Sequence, residues 1–329
     1  MTSLLSGRQT ILLRRAAVRA TAAPSVHNTQ PWRLHLKSGE LSIFADPTRQ
    51  LKVLDPTSRQ LVISCGCALF NARVSLAGDG LASDVVRYPD SARPELLARL
   101  RPVADRQPDP ALAALDSVLE LRQTNRRQFA DDAVPASLLE VLEDAAQQEA
   151  SSLFVVRDEQ QRLTVAQLSQ HADSIENLNP AYRAELRAWT TDDPGRLDGV
   201  PGLAVPHVDG GSEDEVPIRD FDTRGTGGLP VRTHSSRQQT LLILCTDGDS
   251  PADWLRAGEA LERILLEITR HGYAASPLTQ VTEVPSARAR LRQELGMGGY
   301  PHILLRVGRA PMTPGSRRRR LVDVLVEEV

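Results

Sequence analysis

The sequence has few cysteines and no long apolar run, and each shortage excludes a class of protein. Three cysteines among 329 residues are too few, and odd in number, for a disulfide framework. No uninterrupted apolar run approaches the roughly 18 residues that a membrane-spanning helix needs. Residues 1–7 lack the charged and apolar regions of a signal peptide. We therefore expect a cytoplasmic protein with no membrane partner.

An excess of charge of one sign is also lacking, since 39 basic residues stand against 42 acidic ones, a net charge of −3. Such a balance does not favour nucleic acid as a partner. The motifs of zinc proteases, Walker-type NTPases and GxSxG hydrolases do not occur. Cys65 and Cys67 could suggest a metal pair, but on a helix their thiols point about 200° apart. We expect two buried cysteines and no metal site.

What is present is a globular composition, with 41% hydrophobic and 25% charged residues. The patterns predict helices at 8–23, 58–77, 135–148, 158–171 and 251–270. Ile11 and Val18 belong to the predicted apolar face of the first helix, and Ser250 with Asp253 opens the last as a capping box. Strands are predicted at 32–36, 41–44, 85–88, 153–156, 240–246 and 303–307. Residues 89–110 are predicted to form a connector with a short helix.

The order helix, strand, long helix, strand occurs twice, which predicts two units at 1–112 and 113–329. Within the second unit, residues 189–230 are rich in glycine and proline. A loop of this length is usually a lid, a binding loop or a disordered insertion. A lid and an insertion without a role both remain open for this segment.

Three polar segments could carry chemistry. Residues 23–32, APSVHNTQPW, place several hydrogen-bonding side chains between a helix and a strand, which suits a planar polar ring; a capped polar turn is the alternative. Residues 122–129, RQTNRRQF, hold three arginines whose guanidinium groups suit phosphate; a solvated basic loop is the alternative. The run at 317–320 is four arginines, and such a charge run is most often a solvated tail.

Taken together, these segments resemble the nitroreductase superfamily. APSVHNTQPWRL at 23–34 resembles its APSxxNxQPW signature, and RQTNRRQF resembles its RRSxRxF element. GYAASPLTQVTE at 272–283 is similar to the segment beneath the flavin ring. YPHILLRVGRAP at 300–311 is similar to the closing strand, and the arginines after it resemble the phosphate-binding tail.

The order of these motifs is reversed with respect to ordinary nitroreductases, where the RRS element comes first. This order resembles the Acg-type branch, in which one chain mimics the nitroreductase homodimer. SRQLVISCGCALFNARVSLAG at 58–78 and YRAELRAWT at 182–190 are further similarities to that branch. The resemblance implies an α+β fold with a mainly antiparallel sheet flanked by helices. It also implies one FMN per chain between the two halves, in a monomer or a loose homodimer.

Residue by residue, the resemblance implies how the phosphate end of FMN is held. Arg122, Thr124 and one of Arg318 or Arg319 would bind the phosphate. Arg126 lies where the family places a cation near N1 and O2 of the flavin, which would favour the reduced form.

The resemblance also implies the contacts of the flavin ring. The turn residues that would meet the ring or ribityl chain are Pro24, Ser25, His27 and Asn28. The residues that would line the ring near N5 and O4 are Pro277, Leu278 and Thr279. The superfamily often has glycine or an acidic residue where Thr279 and Gln280 stand, so contacts there are open. His27 is expected to contact or position the ring, and no side chain is assigned a catalytic role.

Two functions from different classes follow from the resemblance. The first is an oxidoreductase that transfers a hydride from NAD(P)H through FMN to a nitroaromatic, a quinone or a similar acceptor. The second is an FMN-sequestering or flavin-storage protein of little turnover, in which the 189–230 segment covers the ring. A flavin-free scaffold is a third possibility, and purified protein without colour would indicate it.

Overall fold

The computed structural model of the protein describes residues 2–206, 216–222, 228–229 and 239–328, with side chains from residue 7 onward. The rest of the predicted 189–230 loop lies outside the described residues. The part before residue 104 contains α1 (Thr2–Thr21), β1 (Trp32–Lys37), β2 (Glu40–Ala45), α2 (Arg59–Gly78), β3 (Ala82–Arg87) and β4 (Leu96–Val103).

The later part adds several short helices to a second set of strands. Its first elements are α3 (Pro110–Ala114), α4 (Ala136–Gln148), β5 (Ser152–Val155), α5 (Glu159–Asn177), α6 (Pro180–Trp189), β6 (Thr190–Thr191) and β7 (Val200–Pro201). They are followed by β8 (Thr240–Thr246), α7 (Pro251–Arg270), β9 (Ala274–Pro277), α8 (Gln280–Glu283), α9 (Pro285–Glu294), β10 (Tyr300–Gly308) and β11 (Leu325–Glu328).

Two mainly antiparallel sheets share one strand order. The first runs β11-β1-β2-β4-β3 and the second runs β5-β8-β10-β9. Without β11, each sheet has four strands. Numbered in chain order, they lie side by side in the order first, second, fourth, third, and all neighbouring pairs are antiparallel. The exception is β11, which pairs in parallel with β1 and so returns the C-terminal segment to the first sheet. The expected α+β architecture is confirmed.

The two halves meet where α2 crosses α7. Gly66 and Gly258 lie at the crossing, and a Cβ on either glycine would overlap the backbone of the other helix. Backbones can approach this closely only where side chains are missing. Nearly every residue of α2 is buried. The crossing therefore fixes how the segments before and after each helix are placed against one another.

Burial also explains one property of α2. By length and composition it could cross a membrane, yet 89% of its apolar window is buried inside the protein. Apolar residues on every side are what a fully enclosed helix requires. The hydropathy of α2 is thus accounted for by its place in the core.

The structure confirms the β1–β2 hairpin, the long helices and the capping box of Ser250 and Asp253. Two predictions were wrong. Residues 89–110 contain the interior strand β4, which pairs with both β2 and β3. Ile11 and Val18 are exposed, since α1 packs through Leu13 and a row of alanines.

Candidate cofactor site

A cleft between the two halves has two adjoining chambers. The basic chamber, of about 190 Å³, is lined by residues that include Arg122 and Arg318. The apolar chamber, of about 90 Å³, lies between the side chains of α2 and the segment 216–222. Four residues line both chambers: Pro24, Ser25, Thr124 and Arg126. The polar turn of the first half and the basic loop of the second therefore share one cleft.

The turn that follows α1 is held in an unusual backbone conformation. His27, Asn28 and Gln30 have φ angles of 47°, 54° and 51°, in the left-handed region that side-chain-bearing residues rarely adopt. Hydrogen bonds fix it: the Gln30 amide donates to Ser25 Oγ at 2.9 Å and the Val26 amide to Ser64 Oγ at 3.2 Å. Strain retained in this way is typical of binding sites.

The buried His27 side chain closes one wall of the apolar chamber. Neither ring nitrogen has a hydrogen-bond partner within the described part of the chain. Burial, with the charges of Arg219 and Arg126, holds the pKa of His27 well below its usual value. The imidazole is therefore neutral at physiological pH. Its edge meets the Phe221 ring, with centroids 5.2 Å apart.

Three arginines line the basic chamber, Arg122, Arg126 and Arg318, and the first and the last have unused donors. Arg122 is buried, and its Nε lies 3.5 Å from Glu262 Oε1. Among the described residues, Arg122 Nη1 and Arg318 Nε have no hydrogen-bond partner. Burial, with the charge of Arg122 next, lowers the pKa of Arg318 to about 9. Like charges with unused donors in one buried place are the arrangement that binds a phosphate dianion.

Asn28 ties three segments together at the mouth of the basic chamber. Its Oδ1 accepts a hydrogen bond from Arg318 Nη1 at 3.1 Å. Its Nδ2 donates to the backbone oxygens of Gly199 at 2.9 Å and Arg317 at 3.1 Å. These bonds use its amide fully, so Asn28 positions Arg318 in addition to lining the chamber.

The basic loop pairs with β9. This contact connects the lining of the basic chamber to the lining of the apolar chamber. Thr124 forms a parallel bridge with Ala275, and the Asn125 amide donates to the Ala275 carbonyl at 2.9 Å. β9 ends at Pro277, and Thr279 follows it. Both residues line the apolar chamber.

Segment 216–222 covers the apolar chamber. The Arg126 guanidinium carbon lies 4.7 Å from the centroid of the Phe221 ring, a cation–π contact. Burial, with the charge of Arg219 next, lowers the pKa of Arg126 to about 10. Arg219 is buried beside it and forms an ion pair with Glu283. This segment belongs to the predicted 189–230 loop.

The structure brings most of the predicted site residues to this cleft. Those that line it are Pro24, Ser25, His27, Asn28, Arg122, Thr124, Arg126, Pro277, Thr279 and Arg318. Two do not line either chamber. Leu278 is buried in the core cluster behind β9. Arg319 turns away, and its side chain donates to the carbonyls of Gln30 and Asp323.

Other residues that line the apolar chamber were not among the predicted contacts. Gln60 and Cys67 lie on the α2 wall, and Arg219 and Phe221 cover the opposite side. The α2 pattern predicted a buried helix but could not show which turn would border a chamber. Arg219 and Phe221 had a weaker signal, since they are a cation and an aromatic residue in a glycine-rich stretch.

Known proteins resemble the chain over nearly its whole length. A Mycobacterium tuberculosis protein whose name gives it as a candidate NAD(P)H nitroreductase is 33% identical over 320 residues, 95% of this chain and 90% of that protein. Another from that organism, named in the same way and called Acg, is 30% identical over 323 residues, 95% of each chain. No protein-family profile matches the chain.

Solved structures show a more distant likeness. An FMN-bound nitroreductase from Desulfitobacterium hafniense aligns with a TM-score of 0.40 and 14% identity, over 63% of this chain and 95% of that one. Likeness at this level does not assign a function. The sequence identity to the M. tuberculosis proteins is stronger, and on that basis the chain belongs to the NAD(P)H nitroreductase family.

Proposed function

We propose that the chain is an FMN-dependent oxidoreductase that binds one FMN in the cleft between its halves. The observation that carries the proposal is the pair Arg122 and Arg318, whose buried donors Nη1 and Nε have no hydrogen-bond partner among the described residues. The names of the M. tuberculosis relatives support the choice of NAD(P)H as the reductant. FMN is the cofactor that the motifs at 23–34 and 122–129 imply.

The residues of the cleft fit FMN at its phosphate end. Arg122 and Arg318 would hold the phosphate, with Thr124 beside them. Pro24, Ser25 and Arg126 continue from the basic chamber into the apolar one, where ribityl chain and ring would follow. At the ring end, Phe221 stacks on Arg126. A flavin ring needs that side chain to move aside or to serve as a wall of its site.

The chemistry that FMN supplies is the transfer of reducing equivalents from NAD(P)H to a nitroaromatic, a quinone or a similar acceptor. The residues of the chain would bind FMN and shield its ring from solvent. Arg126 places a cation beside the ring, which stabilises negative charge there. The neutral His27 offers contact rather than a proton, because its pKa is low.

A second function is favoured by segment 216–222. Val216, Arg219 and Phe221 are buried, so the segment is packed over the apolar chamber rather than free in solvent. A cover of this kind would leave FMN bound while it blocked the stacking of nicotinamide. The protein would then sequester or store flavin. Cytoplasmic location, and a monomer or loose dimer, remain predictions.

Cofactor identity is tested by comparing FMN with riboflavin, which lacks the phosphate. We expect Arg122→Ala and Arg318→Ala each to weaken FMN binding by about 10- to 100-fold, the value of a charge-assisted hydrogen bond. Riboflavin binding should change little. Arg317→Ala is the matched control, because Arg317 is an exposed neighbour in the same tail. Equal losses for FMN and riboflavin would contradict phosphate binding by these arginines.

Turnover is tested by anaerobic stopped-flow mixing of the flavin-loaded protein with NADPH or NADH. Rapid bleaching of the flavin absorbance in the intact protein supports the oxidoreductase and contradicts sequestration. Bleaching that occurs only in Phe221→Ala supports the covered, sequestering form. A colourless purified protein that ignores added FMN would contradict both functions.

A further inference from the structure

A buried carboxyl lies behind the basic chamber and is not among the residues proposed above to bind FMN. Glu262 belongs to α7, is completely buried and lines neither chamber of the cleft. Its Oε1 lies 3.5 Å from Nε of Arg122, and the Arg122 side chain lines the basic chamber. One guanidinium group is therefore shared between Glu262 and an anion in the chamber.

The surroundings of Glu262 compensate a negative charge poorly. Its Oε1 and Oε2 atoms have no hydrogen-bond partner among the residues that the structure describes. The Asn71 side chain, which faces Glu262 from α2, also has no hydrogen-bond partner within that part of the chain. Because a buried carboxylate without hydrogen bonds is strongly disfavoured, this site favours the neutral acid over the ionised form.

The charged and titratable groups around Glu262 come from three segments. Arg122 faces it from the basic loop and Arg318 from the C-terminal segment, and both favour the ionised carboxylate. The Cys67 thiol faces it from α2, and burial holds the pKa of that thiol well above its usual value, so it is uncharged. The charged groups at the end of α4 and in residues 115–118, which also pack on α7, pair with other arginines.

Burial outweighs the two arginines in the flavin-free protein. It raises the pKa of Glu262 to about 7, so both protonation states are present at neutral pH. A phosphate dianion held by Arg122 and Arg318 would add negative charge on the other side of the Arg122 guanidinium. Groups on opposite sides of a guanidinium lie roughly 6–8 Å apart, and like charges at that distance raise the proton affinity of a buried carboxyl about tenfold or more.

We propose that FMN binding is coupled to the uptake of one proton by Glu262, so that the phosphate occupies a chamber backed by a neutral acid. The proposal rests on the FMN site proposed above. The proton comes from solvent and binds to the carboxylate, and Glu262 acts as a positioning residue through Arg122. FMN binding should then be tightest between about pH 6 and pH 7, above the second pKa of phosphate and below that of Glu262.

The test is isothermal titration calorimetry of the flavin-free full chain with FMN at pH 7.5, in buffers of different ionisation enthalpy. The dependence of the binding enthalpy on the buffer gives the number of protons taken up. At this pH free FMN already carries a phosphate dianion, and Arg318, with a pKa of about 9, is charged. We expect the uptake of about half a proton or more per FMN, and almost none in Glu262→Gln. Riboflavin, which lacks the phosphate, should cause no such uptake in the wild type.

The affinity for FMN gives a second measurement. Between pH 7 and pH 8 the dissociation constant should rise about three- to fivefold in the wild type and change less than about twofold in Glu262→Gln. Glu176→Gln is the matched control. Burial also raises the pKa of Glu176, to about 8, but this carboxyl faces Arg219 rather than the basic chamber. We expect Glu176→Gln to keep the proton uptake of the wild type.

The outcomes separate this coupling from the proposed function. Equal proton uptake by the wild type and Glu262→Gln, or equal uptake on binding of FMN and riboflavin, would overturn the coupling and leave FMN as the cofactor. Loss of the uptake in Glu176→Gln alone would place the proton outside the basic chamber and would also overturn it. Failure of FMN to bind the wild type would contradict the proposed function and the coupling together.

Discussion

The basic chamber and a second buried cluster of charges show two ways of placing arginines inside this protein. The second cluster, which we call the buried ion network, consists of Arg73, Arg87, Arg263, Glu149 and Glu259. Its ionic contacts lie between 2.6 and 3.3 Å. In the basic chamber, Glu262 stands at 3.5 Å from Arg122, and Arg122 Nη1 and Arg318 Nε have no hydrogen-bond partner among the described residues. In the network, the described atoms that lack one are Arg263 Nε and Glu149 Oε1, and these two face each other at 3.3 Å.

The apolar chamber of the cleft and the buried ion network occupy comparable places on the crossed helices. Gly66 of α2 and Gly258 of α7 are the two glycines at the crossing. Cys67 and Glu259 each come directly after one of them, so they hold equivalent positions on the two helices. Cys67 lines the apolar chamber, whereas Glu259 forms ion pairs with Arg73 and Arg87. The connection after α1 is a long strained turn, whereas α4 is followed closely by β5. One side of the crossing is thus a cleft and the other is filled with charge pairs.

The difference in charge compensation indicates which cluster would be completed by a bound anion. Buried arginines are costly unless carboxylates compensate them. In the buried ion network the chain supplies this compensation, and the Glu259 and Glu149 carboxylates raise the pKa of Arg73 against the effect of burial. In the basic chamber the compensation is partial, so an anion from outside would complete it.

The contrast between the two clusters is tested most strongly by two isosteric substitutions on α7, compared by their effect on stability. We expect Glu259→Gln to lower the free energy of unfolding by about 3–5 kcal/mol, because it leaves Arg87 and Arg73 short of a buried partner. Glu262→Gln should cost less than about 1 kcal/mol, since that carboxyl compensates Arg122 weakly. Urea unfolding measures both, and equal losses would refute the contrast.

Only part of this contrast could be predicted from the sequence. The motifs predicted Ser25, Arg122 and one of Arg318 or Arg319, since the residues proposed to bind FMN lie in local segments with distinctive composition. The partners of Glu259 come from elements far apart in sequence, and no local pattern pairs them. Glu262 looked like any acidic residue of a helix until its burial was known.

The fold was predictable to a similar extent. The hairpin and the capped helix α7 depend on neighbouring residues, so local signals sufficed. β4 was missed although Ala98 and Leu100 alternate with the less buried Arg99 and Arg101, because arginine and proline nearby indicated a connector. In α1 the buried face is largely alanine, which contributes little to a hydrophobic pattern but allows close packing.

The pH dependence of stability would sharpen the comparison. Burial raises the pKa of Glu262 to about 7, although the charge of Arg122 opposes this. Between its unfolded pKa, near 4.5, and about 7, the folded state holds a proton that the unfolded state has lost. This group's contribution to stability is therefore complete below pH 4.5 and is lost as the pH rises to 7.

We expect flavin-free Glu262→Gln to lose that part of the slope. The measurement is the free energy of unfolding between pH 5 and pH 8 for the wild type and the variant. Their difference isolates Glu262 from other titrating groups such as Glu176. Parallel curves would show that Glu262 is ionised throughout, and the basic chamber would then be as well compensated as the buried ion network.

The smallest expected effect concerns the residue that positions Arg318. Asn28→Ala removes one of three acceptors of Arg318 Nη1, which also donates to the Ser316 and Arg317 carbonyls, and it removes the donor to Gly199 and Arg317. We expect FMN binding to weaken about fivefold, as for one neutral hydrogen bond of roughly 1 kcal/mol. Asn177→Ala is the control, since Asn177 is exposed and bonds to Asp173 and Arg183, which line neither chamber of the cleft. A residue that acts by positioning Arg318 should cause no further loss of FMN affinity once Arg318 is replaced. If the affinity losses of Asn28→Ala and Arg318→Ala add up in the double variant, Asn28 acts independently of Arg318.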